Sequence, residues 1–121
     1  MPFIIDTVYD QGLSYADTNG TRLDICSSEP TTYAGATTTL TLGNDTVNTG
    51  APEAGAVDGR RVVVPAITAG TVTGTGTASH WALTDGASVL IATGTLTASQ
   101  AVTSGNTFSL DAISITIRDA T

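Results

Sequence analysis

The sequence predicts a mainly β protein: an antiparallel β-sandwich, Ig-like or jelly-roll-like, with one short N-terminal helix. Short apolar segments recur at even spacing from residue 21 onward, with turn-forming residues between them, as in sandwiches and barrels. Threonine is abundant, and its β-branched side chain fits the pleated surface of a strand. Residues 60–118 show no helical periodicity, which argues against alternating strands and helices.

The N-terminal segment carries the one helical pattern, over residues 4–17. Asn19-Gly20 is expected to end the helix, because both residues tolerate a left-handed cap. An extended arm is the alternative, since several of these residues are β-branched. We therefore divide the chain into a helix or docking arm (1–20) and a single β-sandwich domain (21–121). The apolar positions at helical spacing are Ile5, Val8, Tyr9, Leu13 and Ala16.

The first half of the domain predicts two strands and a long loop. Residues 21–26 alternate, with Leu23 and Ile25 on the one buried face. Residues 37–42 again alternate between apolar and polar side chains and predict a strand, with Leu40 and Leu42 on one face. Residues 43–59 are rich in turn-forming side chains and are predicted to be irregular, and a loop of that length is usually functional or mobile.

The second half predicts a succession of short strands separated by turns. Trp81 and Leu83 share the apolar face of one strand, which pairs with the next strand through a turn at residues 85–87. A further turn is expected at 103–106. The predicted strands span residues 61–64, 71–73, 79–84, 88–96, 107–110 and 113–117.

Composition restricts the possible functions. The 121 residues suffice for one domain with one core. The net charge is -7 and lysine is absent, which disfavours nucleic acids and anionic membranes as partners. The N-terminus lacks the pattern of a secretion signal, and no segment reaches transmembrane length. Cys26 is the single cysteine, so no intrachain disulfide forms and the chain is expected to fold in a reducing compartment.

The sequence predicts no enzyme, cofactor or metal site. His80 is the single histidine, and its neighbour Ser79 is expected to point to the opposite face of the strand, so the two side chains should not meet. Cys26 has no activating histidine nearby in sequence. One cysteine and one histidine are too few for zinc.

Six residues are candidates for contact with a partner protein. Arg60 and Arg61 form the one basic pair in an acidic chain and could form salt bridges to a neighbour. A pair of strand-end arginines exposed to water is the alternative. The apolar positions Ile4, Ile5, Val8 and Tyr9 of the N-terminal segment complete the set.

The order of strands and turns resembles small structural proteins encoded in the morphogenesis modules of tailed phages and prophages. The resemblance lies in Ala78–Asp85 (Ala-Ser-His-Trp-Ala-Leu-Thr-Asp), Val89–Leu96 and Ala101–Phe108, and an early segment, Asp24–Tyr33, is also similar. It covers most of the chain and is strongest over residues 75–118. It implies a virion component and carries over no functional residue.

The resemblance and the composition together predict a bacteriophage structural protein that assembles in the host cytoplasm. A capsid decoration (cement) protein in many copies, bound to the major capsid protein or to other virion proteins, is the first expectation. A neck, collar or tail connector or fibre-base protein is the alternative. A carbohydrate-binding module is a further alternative, although such modules need exposed aromatic side chains.

Overall fold

In a computed structural model of the protein, residues 5–55 and 59–117 are described, except for the side chains of Asp6 and Tyr9. The chain folds into two antiparallel sheets and an N-terminal helix, which confirms the predicted mainly β, sandwich-like fold. The elements are α1 (Asp6–Asn19), β1 (Arg22–Cys26), a π-helical turn (Gly35–Thr39), β2 (Thr41–Thr46), β3 (Glu53–Ala54), β4 (Arg60–Val64), β5 (Ile67–Val72), β6 (Gly76–Thr84), β7 (Leu90–Val102), β8 (Thr107–Leu110) and β9 (Ile113–Ile117).

The larger sheet has six strands in the order β7-β6-β1-β2-β5-β8, and the smaller has the order β3-β4-β9. The larger sheet curls like half a barrel. Its two edge strands approach each other where the Gln100 side-chain amide of β7 donates a 2.9 Å hydrogen bond to the Ser109 carbonyl of β8. The two edges of the curled sheet therefore come together at this point, and they leave a seam between β7 and β8.

The core fills the space between the two sheets. Leu23, Ile25 and Leu83 from the centre of the large sheet are fully buried there, and Val64 meets them from the small sheet. Trp81 and Leu83 share this apolar side, as their spacing predicted. The core cluster also contains Leu42, Val47, Ile67, Val72, Ala78, Val102, Phe108 and Leu110.

The helix packs on its own domain at one end of the sandwich. Leu13 and Ala16 are buried against Val62 of β4, with Ile91 and Ile115 beside them. The helix ends at Asn19, as predicted, but the expected left-handed cap is wrong, because Gly20 has a φ of -77°. Glycine is needed there for space, since a Cβ on Gly20 would lie 2.5 Å from the Ala16 carbonyl oxygen.

Two predictions for the first half of the domain are wrong. The strand expected over 37–42 begins only at Thr41, and the preceding residues form the π-helical turn. This turn covers the outer face of β1, where Ala36 packs against Cys26 and Ala82. As a consequence both faces of β1 are buried from Leu23 to Cys26, whereas one buried face was predicted.

The predicted loop over 43–59 is only partly irregular. Its first four residues belong to β2, because Gly43 and Asn44 pair with both β1 and β5, so tertiary pairing overrides their turn propensity. The next residues are tied to the domain: the Thr49 hydroxyl donates to the Gly20 carbonyl at 2.9 Å, and the Val47 amide donates to the Thr21 carbonyl. Residues 56–58 lie outside the described residues.

The predicted turn at residues 85–87 connects β6 and β7, and Asp85 organises it. Its Oδ1 accepts hydrogen bonds of 2.9, 2.9 and 3.0 Å from the amides of Ala87, Ser88 and Val89. The Val89 amide, followed by those of Ser88 and Ala87, lowers the pKa of Asp85 below its ordinary value of 3.8. Gly86 supplies the positive φ of 76° that this turn requires.

Acid should therefore weaken the protein partly through Asp85. A carboxylate with a lowered pKa stabilises the native state above about pH 4 and loses that contribution as the pH falls through the native pKa. Asp85→Asn keeps an acceptor oxygen but cannot titrate. We expect its urea midpoint to fall less between pH 4 and pH 2 than that of the unchanged protein. If the urea midpoints of the two proteins fall equally between pH 4 and pH 2, Asp85 does not have this role.

Candidate functional site

The outer face of β1 carries a buried ion pair. Asp24 is fully buried and accepts two hydrogen bonds from Arg22, at 2.8 Å from Nε and 3.0 Å from Nη2. The Thr41 hydroxyl donates a third, at 2.7 Å. The hydrogen bond to Asp24 is the main reason that the pKa of Arg22 is raised. The three side chains lie on strands β1 and β2, so the network connects neighbouring strands under the π-helical turn.

Cys26 and His80, the residues considered for nucleophilic chemistry, lie directly opposite each other on β1 and β6. No local pattern indicated this pairing, because it depends on the register of the two strands. Cys26 is fully buried, and its thiol lies 3.6 Å from the Ala36 carbonyl. Burial raises the pKa of Cys26 to about 12, so the side chain stays a thiol at neutral pH.

Ser79 and His80 do meet, and the prediction that they could not is wrong. Ser79 Oγ lies 2.8 Å from His80 Nδ1. The contact lies opposite a bulge in β7, because Ala78 pairs with Gln100 whereas His80 pairs with Thr95.

The Ser79 hydroxyl already donates its proton to another group. This proton is donated to the Ser27 carbonyl at 2.9 Å, so His80 Nδ1 must carry the proton that it shares with Ser79 Oγ. A catalytic histidine would instead have to accept the serine proton. The geometry therefore describes a structural link from β6 to the end of β1.

The two arginines proposed as partner contacts form ion pairs within the chain. Arg60 binds Asp10 of α1 with its Nε 2.8 Å and its Nη2 3.2 Å from the two carboxylate oxygens. Arg61 lies 3.5 Å from Glu53 and donates to the Ser114 hydroxyl at 3.3 Å. Both arginines are only partly exposed. Their role toward a partner stays a prediction.

The Asp10–Arg60 pair is expected to hold α1 in place. Asp10→Asn should lower the free energy of unfolding by about 1 kcal/mol and speed amide exchange in α1 more than in the sheets. Asp17→Asn is the matched control, because Asp17 lies on the same helix and forms no ion pair with any described residue. An equal effect of the two substitutions would show that net charge, and not the pair, is responsible.

The helix leaves part of its apolar face exposed. Ile5 precedes its first turn and is 56% exposed, Val8 is 58% exposed and Tyr15 is 47% exposed. The spacing of these residues places them along one side of the helix, adjacent to the buried side that contains Leu13 and Ala16. Ile117 of β9 lies beside this side, near Gly12, and is itself partly exposed. We call Ile5, Val8, Tyr15 and Ile117 the apolar stripe.

Two residues of the apolar stripe, Ile5 and Val8, were predicted from the sequence as contact residues, whereas Tyr15 and Ile117 were not. Ile5 and Val8 are exposed, as a contact role requires. Ile4 and the side chain of Tyr9 lie outside the described residues. Tyr15 could have been found from its helical spacing to Val8. Ile117 could not, because only the packing of β9 beside α1 brings it there.

A groove lies at the seam of the curled sheet. It has a volume of about 260 Å³ and lies between the bulged part of β7 and the connection from β8 to β9. Trp81, Leu96, Leu110 and Ile113 supply most of its apolar wall. Thr95, Thr97, Gln100 and Asp111 supply polar groups. The sequence predicted Trp81 as a core residue, which is confirmed, but no pattern indicated that its edge would border a groove.

Other sites are not found in the described part of the chain. Across residues 5–55 and 59–117, no three cysteine, histidine or acidic side chains come together to hold a metal ion. No helix among the same residues is long and apolar enough to cross a membrane. Comparison with known proteins returned no matching family, no matching curated protein and no matching solved structure.

Proposed function

We propose that this chain is a structural protein of a tailed-phage virion that decorates the capsid and stabilises it by packing against the major capsid protein. The exposed apolar stripe is the observation that carries the proposal. A helix held to its domain by Leu13, Ala16 and the Asp10–Arg60 pair presents the stripe as a preformed surface. Binding through such a surface costs little conformational entropy.

Other features agree with a role in assembly. The resemblance to phage morphogenesis proteins is strongest over residues 75–118, which form strands β6 to β9. The thiol of Cys26 is buried, so the fold needs no disulfide and suits a protein made in a reducing cytoplasm. Many weak contacts in a symmetric shell add up through avidity, so a stripe of four side chains per copy suffices.

Copy number tests the proposal. Particles that contain the chain should carry on the order of hundreds of copies for a decoration protein, whereas about a dozen or fewer would favour the neck, collar or tail alternative. Quantitative mass spectrometry against the major capsid protein measures the ratio, and image reconstruction locates the chain. Absence of the chain from purified particles would refute both forms of the proposal.

A variant of the stripe tests the surface itself. The double substitution Ile5→Ser and Val8→Ser should reduce incorporation into particles about tenfold or more, because central apolar contacts dominate interface energies. Serine at position 5 favours the helix start, so loss of the helix would not explain the result. Ser14→Ala, on the side of α1 opposite Ile5, is the control. Normal incorporation of the double variant would refute the stripe as the contact.

A further inference from the structure

We propose that the groove at the seam between β7 and β8 binds a neutral saccharide ring. The inference does not depend on a role in the virion. The shape of the groove supports this, as do the hydrogen-bonding groups around it that have no partner among the described residues.

The groove lies where the two edges of the curled large sheet approach each other. Between Thr95 and Gln100, β7 bulges away from β6, and the Gln100–Ser109 hydrogen bond joins the two edges beside the gap. The volume of about 260 Å³ is slightly below the range of roughly 300–1,000 Å³ for pockets that enclose drug-sized ligands. The groove therefore suits one small ring, with its remainder open to solvent.

The polar groups around the groove have unused hydrogen-bonding capacity. The hydroxyl of Thr97 and the carboxylate of Asp111 form no side-chain hydrogen bond with any described residue. Gln100 donates from its amide nitrogen to Ser109, and its amide oxygen accepts from no described residue. The indole N–H of Trp81 also donates to no described residue, and it is not among the side-chain polar atoms sealed from solvent.

This combination matches the chemistry of a sugar. A pyranose ring presents apolar C–H groups together with hydroxyls that both donate and accept hydrogen bonds. Leu96, Leu110 and Ile113 can contact the C–H groups. The carboxylate of Asp111 and the amide oxygen of Gln100 are acceptors for sugar hydroxyls, and the Trp81 N–H is a donor to a ring or hydroxyl oxygen.

The negative charge of the protein favours neutral sugars over acidic ones. The groove has the Asp111 carboxylate at its rim, residues 86–110 contain no cationic side chain, and the whole chain has a net charge of -7. An acidic sugar would therefore meet repulsion without a compensating arginine or lysine in this stretch. We expect neutral hexoses and N-acetylhexosamines to bind in preference to uronic or sialic acids.

Trp81 is the one tryptophan of the chain and borders the groove, so its fluorescence reports binding directly. Titration of the full chain with glucose, galactose, mannose and N-acetylglucosamine should give a saturable change for at least one of them. A ligand this small in an open groove is expected to have a dissociation constant on the order of millimolar. Glucuronic acid and N-acetylneuraminic acid are the anionic comparison, and glycerol is the control for nonspecific polyol effects.

Two variants in the groove, each with a matched control elsewhere, test whether the sugar binds in the groove. Asp111→Asn and Thr97→Ala should each weaken binding about three- to tenfold, since each removes a hydrogen bond to the ligand. Asp45→Asn on β2 and Thr71→Ala on β5 change similar groups outside the lining of the groove and should leave binding unchanged. Unchanged melting temperatures would show that the variants are folded.

Three outcomes would overturn the proposal. One is the lack of a saturable signal with any neutral sugar. Another is equal binding of the acidic sugars and glycerol. The third is binding that Asp111→Asn and Thr97→Ala leave intact. None of these outcomes bears on the copy number of the chain in particles, so the two proposals stand or fall separately.

Discussion

Replacing Asp24 by alanine is expected to lower the free energy of unfolding by about 3 kcal/mol, the largest single effect that we predict for a charged residue. Asp24 is fully buried, and it receives two hydrogen bonds from Arg22 and one from Thr41. Removal of the carboxylate leaves the partly buried Arg22 guanidinium without this acceptor and the Thr41 hydroxyl with only the Gly43 carbonyl at 3.1 Å, and it opens a cavity on the outer face of β1.

Urea denaturation at neutral pH measures this loss. Asp45→Ala is the control, because it removes the same charge from the adjacent strand, where the carboxylate accepts only a local bond from the Thr46 amide. We expect Asp45→Ala to cost less than about 1 kcal/mol. A similar cost for both substitutions would mean that the Arg22–Asp24–Thr41 network adds nothing to stability beyond its charge.

Gly94→Ala is expected to destabilise the protein by about 2 kcal/mol through overpacking. Gly94 pairs directly with Trp81 across β6 and β7, and the indole lies over the glycine. A Cβ on Gly94 would lie 2.6 Å from three atoms of the indole ring, including Nε1. Because the ring is rigid and packed in the core, it must tilt or β7 must move away.

The fluorescence of Trp81 provides a second measurement of this displacement. Its emission should shift in Gly94→Ala, since the indole changes its contact with solvent. Gly74→Ala is the control, because a Cβ there would meet its nearest atom at an ordinary 3.5 Å. A shift of equal size in both variants, or a Gly94→Ala variant as stable as the unchanged protein, would refute the packing argument.

Gly70 and Phe108 form a similar pair near the other edge of the large sheet, on the same core face. They pair across β5 and β8, and a Cβ on Gly70 would overlap the phenyl ring. An aromatic ring lying over a cross-strand glycine shields the backbone that the glycine leaves bare. The two pairs explain why glycine occurs inside strands of this protein, where it would otherwise weaken them.

Local sequence pattern predicted which residues of β6 and β8 are buried. Phe108 and Leu110 alternate with exposed residues and are buried as predicted. Trp81 and Leu83 are buried as predicted as well, although Ala82 between them is also buried, on the other face of β6. The helix, its end at Asn19 and the turn at residues 85–87 also follow from local signals. These features depend on interactions between residues close in sequence, which a single sequence displays directly.

Tertiary structure alone decided the features that depend on distant segments. The π-helical turn replaces a predicted strand because it covers β1, and Gly43 joins β2 because it lies between β1 and β5. The Ser79 hydroxyl likewise reaches the Ser27 carbonyl, 52 residues away in sequence, because β6 pairs with β1.

The two proposed binding surfaces also depend partly on local sequence pattern and partly on long-range packing. The composition of the chain and the spacing of Ile5 and Val8 indicated an acidic, threonine-rich β protein with an apolar N-terminal segment. Ile117 completes the stripe, and Asp111 and Trp81 line one groove, only because the sheets curl and pack as they do. Periodicity encodes which face of an element is apolar, whereas the neighbour that covers that face, or leaves it open, is set by long-range packing.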